Sequence, residues 1–414
     1  PLPSPFPYLS FISGGDYVPN RGSDRLLQAA LRRDPNASML FIGGDIAYEN
    51  NMRRCYRRYD DFFREVLRSI VRPDDGSMLL LSVALGNHDG GGYLVAGRDA
   101  LSTARGRDAA LPFYFKYWPS PSVTPPLLGG GAFTDETLNL ADTVHSHSLS
   151  GVLGFVVLDS GIVTDPKAQV LFLIDAVKHF AQGDIEMAVM GDAIAAPGAD
   201  AGGEATLSGA PVPSVVAYHV PAYPSTRAWD DVNAMNVRES FSPIIEGRLN
   251  GSVRLVLEFH DHNYIRTRPM LFSGRNEDYA GPMATGGKPA AQSEFSASSR
   301  IAGVVYSGDG ALGAQDEPVR GGMPYAAVTR SSNYVQLTVV WTNGHEASLL
   351  PFSPERFRTA SQWFSRPNAT ANVRDAAAPS VLLHSIALSA DGAEIDAFVV
   401  PTYRSDAAVV GAGP

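Results

Sequence analysis

Five times along this chain an apolar run of strand length stops on a short polar cluster. Tyr8–Ser13 leads into Gly14-Gly15-Asp16, Ser38–Ile42 into Gly43-Gly44-Asp45, and Met78–Leu85 into Gly86-Asn87-His88-Asp89. Farther on, Val212–Tyr218 leads into His219, and Val253–Phe259 into His260-Asp261-His262. Amphipathic stretches, Asp24–Arg33 and Arg54–Val71, separate the first three runs, so the order reads strand–helix–strand–helix–strand. Near-continuous apolar strands are buried on both faces, the pattern of a parallel sheet covered by helices. Open sheets of this kind bind ligands just outside the carboxyl ends of their strands. Clusters distant in sequence therefore converge in space.

The rest of the chain supplies more of the same elements. Phe155–Asp159, Gly303–Ser307 and Val335–Trp341 read as strands and Lys167–Ala181 as a helix. Residues 90–150, rich in Gly and Pro, read as a surface excursion, and the Ala/Gly-rich 191–213 as a mobile insertion. The tail after Pro354 alternates short helix-like and strand-like pieces.

Composition excludes several classes. With 44% apolar residues in 414, the chain can bury a sizeable core. A net charge of −10 argues against a surface that tracks nucleic acid. No apolar run reaches the roughly 18–20 residues of a transmembrane helix. Cys55 stands alone, so neither an intramolecular disulfide nor a thiolate metal cage is available. Asn36, Asn250 and Asn368 each open a glycosylation sequon. With the chain opening at Pro1, and no charged-then-apolar leader, they give the expectation of a removed leader or a trimmed start. Secretion or a vesicular lumen follows, with a cytoplasmic location left open.

The clusters offer two carboxylates (Asp16, Asp45), a phenol (Tyr48), a carboxamide (Asn87) and the imidazoles of His88, His219, His260 and His262. Hard oxygen with borderline nitrogen suits Fe, Zn or Mn rather than Ca or copper(I). In order and spacing they resemble the metallophosphoesterase (calcineurin-like) superfamily, and within it the purple acid phosphatase branch. Gly44-Asp45-Ile46-Ala47-Tyr48 stands where that family has GDxxY, and Gly86-Asn87-His88-Asp89 where it has GNH(D/E). Val216-Ala217-Tyr218-His219 matches VxxH and continues through Pro221 and Tyr223, while Phe259-His260-Asp261-His262 matches GHxH and is followed by Asn263-Tyr264. Val157–Ser160, Arg238–Glu246 and Val304–Gly310 are fainter matches, and the whole runs from about residue 8 to 350.

The resemblance implies a four-layer α/β/β/α sandwich, with two mixed sheets face to face and helices outside. Residues 1–352 would be the catalytic domain and 353–414 an extension packed on it. It implies two metal ions, iron(III) with iron(II), Zn or Mn. Asp16, Asp45, Tyr48 and His262 would hold the first, and Asp45, Asn87, His219 and His260 the second, with Asp45 shared. A phenolate from Tyr48 favours iron(III). His88 becomes the acid that protonates the departing alkoxide, and the implied activity is hydrolysis of a small phosphomonoester by metal-bound hydroxide. A phosphodiesterase or nucleotide phosphatase with the same centre stays open, as does a non-catalytic binding protein on this scaffold. The oligomeric state is not legible.

Each residue also has a plainer reading: a helix N-cap for Asp45, turn chemistry for Asp16, a core tyrosine for Tyr48, a structural hydrogen bond for His88. Two departures stand out. Tyr17-Val18 follows Asp16 where the family has a His or Gly, and Phe259 replaces a Gly, which could crowd the second metal. No histidine lies between His219 and His260, where plant-type members place substrate-contacting ones, so phosphate binding would rely on fewer side chains. His145, His147, His179, His345 and His384 read as surface or packing residues, and Arg53, Arg54, Arg57 and Arg58 as a solvated helix face.

Overall fold

A computed structural model describes residues 8–50, 52–72, 76–90, 113–118, 143–149, 152–182, 212–249, 252–271, 303–308, 310–341 and 381–402. His345, Asn250, Asn368, residues 191–211 of the expected insertion and most of 90–150 lie outside them. The strands are β1 (Tyr8–Gly14), β2 (Met39–Ile42), β3 (Leu80–Val83), β4 (His145–Leu149), β5 (Leu153–Val157), β6 (Ser214–Ala217) and β7 (Val253–Glu258). They continue as β8 (Tyr264–Thr267), β9 (Val305–Gly308), β10 (Ala326–Arg330), β11 (Val335–Trp341), β12 (Val381–Leu388) and β13 (Glu394–Thr402). The principal helices are α1 (Arg21–Arg33), α2 (Arg57–Ile70), α3 (Val170–Gln182) and α4 (Val232–Ser242).

One sheet has the order β13-β12-β11-β1-β2-β3 and the other β10-β8-β9-β7-β6-β5-β4. Both are mixed. Strands β1, β2 and β3 run parallel, and β11, β12 and β13 continue antiparallel from β1. In the second sheet β5, β6, β7 and β9 are parallel. Phe11, Met39, Phe41, Phe155, Val215, Leu255 and Leu257 meet between the sheets. Ile12, Leu40 and Ile42, pointing the other way along the same strands, pack on Leu26, Leu27 and Ala30 of α1 and Tyr59, Phe62 and Val66 of α2. Leu173, Val177, Val237 and Phe241 of α3 and α4 cover the outer face of the second sheet at Val156, Val216 and Val256. The result is an α/β/β/α sandwich. The central strands β2, β5, β6 and β7 are buried along their whole length, which is why those runs read as continuously apolar.

Local chemistry sets the element ends. Asn20 caps α1 by accepting from the N–H groups of Gly22 and Ser23, while Ser23 Oγ accepts from the N–H of Asn20, a reciprocal box. The amphipathic stretch from Arg54 begins as a short 3₁₀ turn, Arg53–Cys55, before α2. Its Arg54, Arg57 and Arg58 are exposed, in line with a solvated face. After residue 353 the chain supplies β12 and β13 to the first sheet. Asp396 of β13 accepts from Tyr264 (2.9 Å) and Arg266 (2.6 Å) of β8, joining the two sheets at that edge. No helix among the described residues is long and apolar enough to cross a membrane.

Candidate metal centre

The parallel ladders carry the five clusters to one place. Gly14 pairs with Ile42, and the ladder continues past both strands: the Asp16 N–H donates to Gly44 O and the Tyr17 N–H to Asp45 O, each at 3.0 Å. Asp16 and Asp45 are thereby set side by side. The next strand returns at Gly86, where an added Cβ would lie 2.0 Å from Asp45 N and 2.2 Å from Asp45 Oδ1. Only glycine lets the third cluster approach this closely. In the second sheet Ala217 pairs with Leu257, and the Phe259 N–H donates to His219 O at 2.9 Å, fixing His219 beside His260.

Backbone strain is concentrated here. Of the seven non-glycine residues with positive φ among the described residues, six are Asp16, Asp45, Tyr48, Asn50, His260 and His262. Left-handed backbone at such residues costs of order 1 kcal/mol or more each and persists where the surroundings require it.

Asp45, His219 and His260 form one buried group whose ligand atoms lie within 4.8 Å of one another, and Asp16, Asp45 and His262 form a second. Either group can hold a metal ion, and Asp45 belongs to both. In the first, the Nδ1 of His219 is 2.8 Å from Gly43 O, which directs Nε2 inward. There Nε2 lies 3.0 Å from Asn87 Oδ1, 3.2 Å from His260 Nδ1 and 3.4 Å from Asp45 Oδ1. In the second, His262 Nδ1 faces Gln315 O at 3.0 Å, and its Nε2 lies 3.0 Å from Asp16 Oδ1 and 2.8 Å from the Tyr48 hydroxyl. Tyr48 donates to Asp16 Oδ1 at 3.2 Å.

Burial, followed by the charges of Asp16 and Asp89, pushes the Asp45 carboxyl well above the usual carboxylate range. Its Oδ1 accepts the His88 N–H at 2.8 Å, while Oδ2 is buried with no hydrogen-bond partner among the described residues. Burial alone would raise Asp16 too, but the charge and hydrogen bond of His262 hold it well below that range. Burial lowers His219 to about 4 and holds His260 well below the usual imidazole range, so both imidazoles are neutral at pH 7. His262 goes the other way, to about 9, because Asp16 outweighs the effect of burial. Burial, then Asp16 and Asp45, raises the Tyr48 phenol strongly. A buried carboxyl oxygen with no hydrogen-bond partner among the described residues, beside a carboxamide oxygen and inward-facing neutral imidazole nitrogens, is a donor set that fits a cation.

All eight residues expected at the site are therefore brought together, with His88 at the rim, half-buried. The histidines outside the motifs are packing residues where they are described. His145 and His147 stack at 5.9 Å on β4, and His384 is buried on β12. Asp159, in a fainter match, accepts four backbone N–H groups of residues 161–164 and braces a turn. Arg238 lies 3.7 Å over the Trp229 ring and donates to Ala222 O and Trp229 O, and Glu246 accepts from Tyr223 and Tyr306, so the other two matches brace the segment after His219.

The two departures resolve simply. Phe259 does not crowd the site. It is buried between the sheets, on the same face as Leu255 and Leu257, with its ring over Gly15 and Gly43. Tyr17 is likewise core, edge-on to Phe62 at 5.2 Å. Three further groups take part, of which only Asp89 stands in a motif. Asn50 Oδ1 is bonded to His88 Nδ1. Asp89 accepts from the N–H groups of Ile46 (2.9 Å) and Gly86 (2.8 Å), tying the second cluster to the third. Arg227 NH1 donates to Oδ1 of Asp261, the residue between His260 and His262, at 2.7 Å.

Among solved structures, a purple acid phosphatase, PPD1, isolated from yellow lupin (Lupinus luteus) seeds, matches with a TM-score of 0.54 and 12% identity, over 95% of this chain and 54% of its own. The fold is similar to that of a purple acid phosphatase. This chain spans about half the length of the lupin enzyme. GAP50, the anchor in the inner membrane complex of Plasmodium, gives a TM-score of 0.47 at 9% identity, covering 96% of this chain and 90% of its own. PhoD gives 0.46 at 11% identity, covering 94% and 72%. No protein-family model matches the sequence, and a search of curated proteins gives no match.

Proposed function

We propose that this chain is a metal-dependent phosphoester hydrolase that acts on small phosphomonoesters in the manner of a purple acid phosphatase. The observation that carries the reading is the convergence of five strand ends on one cluster around Asp45, whose Oδ2 is buried without a partner among the described residues. Asp16, Asp45, Tyr48 and His262 would hold one cation, and Asp45, Asn87, His219 and His260 the other. When bound, such a pair polarises the phosphoryl oxygens, acidifies a water and offsets charge on the leaving oxygen.

The chain's own residues do the rest. Asp45 keeps the two groups adjacent. His88 belongs to neither; its ring lies 4.6 Å from that of Tyr48, and its Nε2 is 3.8 Å from Asp45 Oδ2. Asn50 accepts at Nδ1 and so fixes which nitrogen faces the reacting group. A proton on Nε2 is then placed for transfer to a departing alkoxide. Burial lowers the proton affinity of His88, so the reading expects the best turnover on the acid side of neutrality. His88→Ala should slow hydrolysis of an alkyl phosphate by about 10² or more while sparing a nitrophenyl ester, whose leaving group needs no acid. Unchanged turnover of the alkyl ester would remove His88 from that role.

Tyr48 would offer a phenolate beside Asp16 and His262, a hard anionic oxygen donor that favours iron(III) as one ion. Metal analysis with a visible spectrum tests this. A phenolate charge-transfer band supports iron, and a colourless, metal-loaded protein points to Zn or Mn. The non-catalytic alternative drew on Tyr17 and Phe259, and both side chains belong to the core. We also place the protein in a secretory or vesicular lumen, on the strength of the exposed Asn36 sequon. A mass shift on enzymatic deglycosylation, lost in Asn36→Gln, tests that.

A further inference from the structure

The segment after His219 is folded against the residue that separates His260 from His262. The N–H groups of Ser225 (2.8 Å), Thr226 (2.7 Å) and Arg227 (3.2 Å) all donate to Asp261 Oδ2. Asp261 Oδ1 then takes Arg227 NH1 at 2.7 Å. The same nitrogen donates to Glu317 Oε2 at 2.9 Å, and the Glu317 N–H is bonded to His262 O. Arg320 closes the far side, donating its N–H to Ser225 O and its NH1 to Arg227 O. Asp261 is wholly buried, whereas the Arg227 and Glu317 side chains are 27% and 32% exposed. A guanidinium is thus pinned from below by a buried carboxylate and met from outside by one that water and solutes can reach. The guanidinium is tied through Asp261 to the residue between His260 and His262, and through Glu317, whose N–H holds His262 O, to the second candidate group.

We propose that Arg227 is a specificity residue, receiving a peripheral oxygen of the substrate phosphoryl group as Glu317 gives up its place on the guanidinium. The proposal rests on the phosphoesterase reading and narrows it. A phosphomonoester dianion has anionic oxygens to spare for Arg227, whereas a diester carries one charge and a second ester arm. The site therefore prefers monoesters. Because Asp261 holds the guanidinium in place before the substrate arrives, little side-chain entropy is lost on binding. Glu317 acts as a built-in competitor, so removing its charge should tighten phosphate binding. No motif histidine is needed in this role.

The test uses the metal-loaded full chain with Arg227→Gln, Arg227→Lys and Glu317→Gln, each checked for metal content. The measurements are kcat and KM on p-nitrophenyl phosphate and bis(p-nitrophenyl) phosphate, and binding of inorganic phosphate by calorimetry. Arg227→Gln should raise the monoester KM and the phosphate dissociation constant by about tenfold or more, with kcat within about threefold and the diester KM unmoved. Arg227→Lys should recover part of the loss, and Glu317→Gln should lower both monoester values. If Arg227→Gln binds phosphate as tightly as the parent while the parent turns over, the proposal falls and the hydrolase reading stands. A fully metal-loaded parent that neither binds phosphate nor hydrolyses either ester takes down the reading and the proposal with it. Should Arg227→Gln fail to fold, the opposite signs expected of Arg227→Lys and Glu317→Gln decide the matter, and a Glu317→Gln that leaves phosphate binding unchanged would refute it.

Discussion

Asp45→Asn should invert its effect on stability according to whether metal is present. In the metal-free protein the Asp45 carboxylate is buried, lacks a donor at Oδ2 and lies beside Asp16, with ligand oxygens no more than 4.8 Å apart. At an effective dielectric of about 20, that separation corresponds to a repulsion of about 3.5 kcal/mol. Protonation caps the penalty: holding a carboxyl neutral at pH 7 against an unfolded value near 3.9 costs about 4 kcal/mol. Asparagine removes the charge and keeps an oxygen for the His88 N–H, so part of this should be recovered, about 1–3 kcal/mol. The sign with pH follows. The Asp45 carboxyl is raised in the folded state, so it depresses stability above the unfolded value and ceases to do so near pH 4, where both states are protonated. The advantage of Asp45→Asn in chelator should therefore be present at pH 7 and vanish toward pH 4. With metal, the parent gains by linkage, about 4 kcal/mol at a thousand times the dissociation constant, and the variant loses most of it. Urea unfolding with chelator and with added Zn or iron, at both pH values, reads all four corners. Equal destabilisation of the variant with and without metal would refute the reasoning and make Asp45 a structural acceptor.

Other consequences are simpler to measure. Tyr48→Phe should abolish any phenolate charge-transfer band while leaving the fold intact, because the ring keeps its packing on His88; a persisting band would assign the colour elsewhere. Phe259→Ala should cost about 3–5 kcal/mol in denaturant unfolding, as a cavity opens between the sheets, without improving metal affinity. Burial lowers His145 to about 3, and His147 and His384 to about 4, so each binds its proton more readily when unfolded. Stability should fall as pH drops from about 6.5 toward 4, and His147→Leu should shift the acid-unfolding midpoint downward.

The cluster of candidate donors was legible in the sequence, and the reason is local. An apolar strand buried on both faces announces itself as a continuous run, and the residue where polarity returns is the strand end. Asp16, Asp45, Asn87, His219 and His260 are all found at such ends, so sequence order sufficed to gather them. The boundaries were less well marked: Met78–Leu85 shrinks to Leu80–Val83, because Ala84 keeps only a single bond to Ile42 O outside the ladder and Met78 bridges back to Val71 instead. The direction of Phe259 follows from its period-two relation to Leu255 and Leu257, which turns it between the sheets although it stands next to a candidate ligand in the chain.

By itself, then, the sequence determined which donors meet and in what order the strands deliver them, because strand ends on parallel sheets share one edge. Tertiary structure alone decided what those donors touch. Asn50 reaches His88 only because both backbones leave their strands at the same rim, and no spacing rule links residues 38 positions apart. Arg227 is fixed where it is because Asp261, buried between two metal-candidate histidines, collects three N–H groups and a guanidinium from a loop more than thirty residues earlier. Such contacts depend on how two sheets are stacked and how loops close over their common edge. That is set by the packing of Phe11, Phe41, Phe155 and Phe259 between the sheets, which no single segment contains.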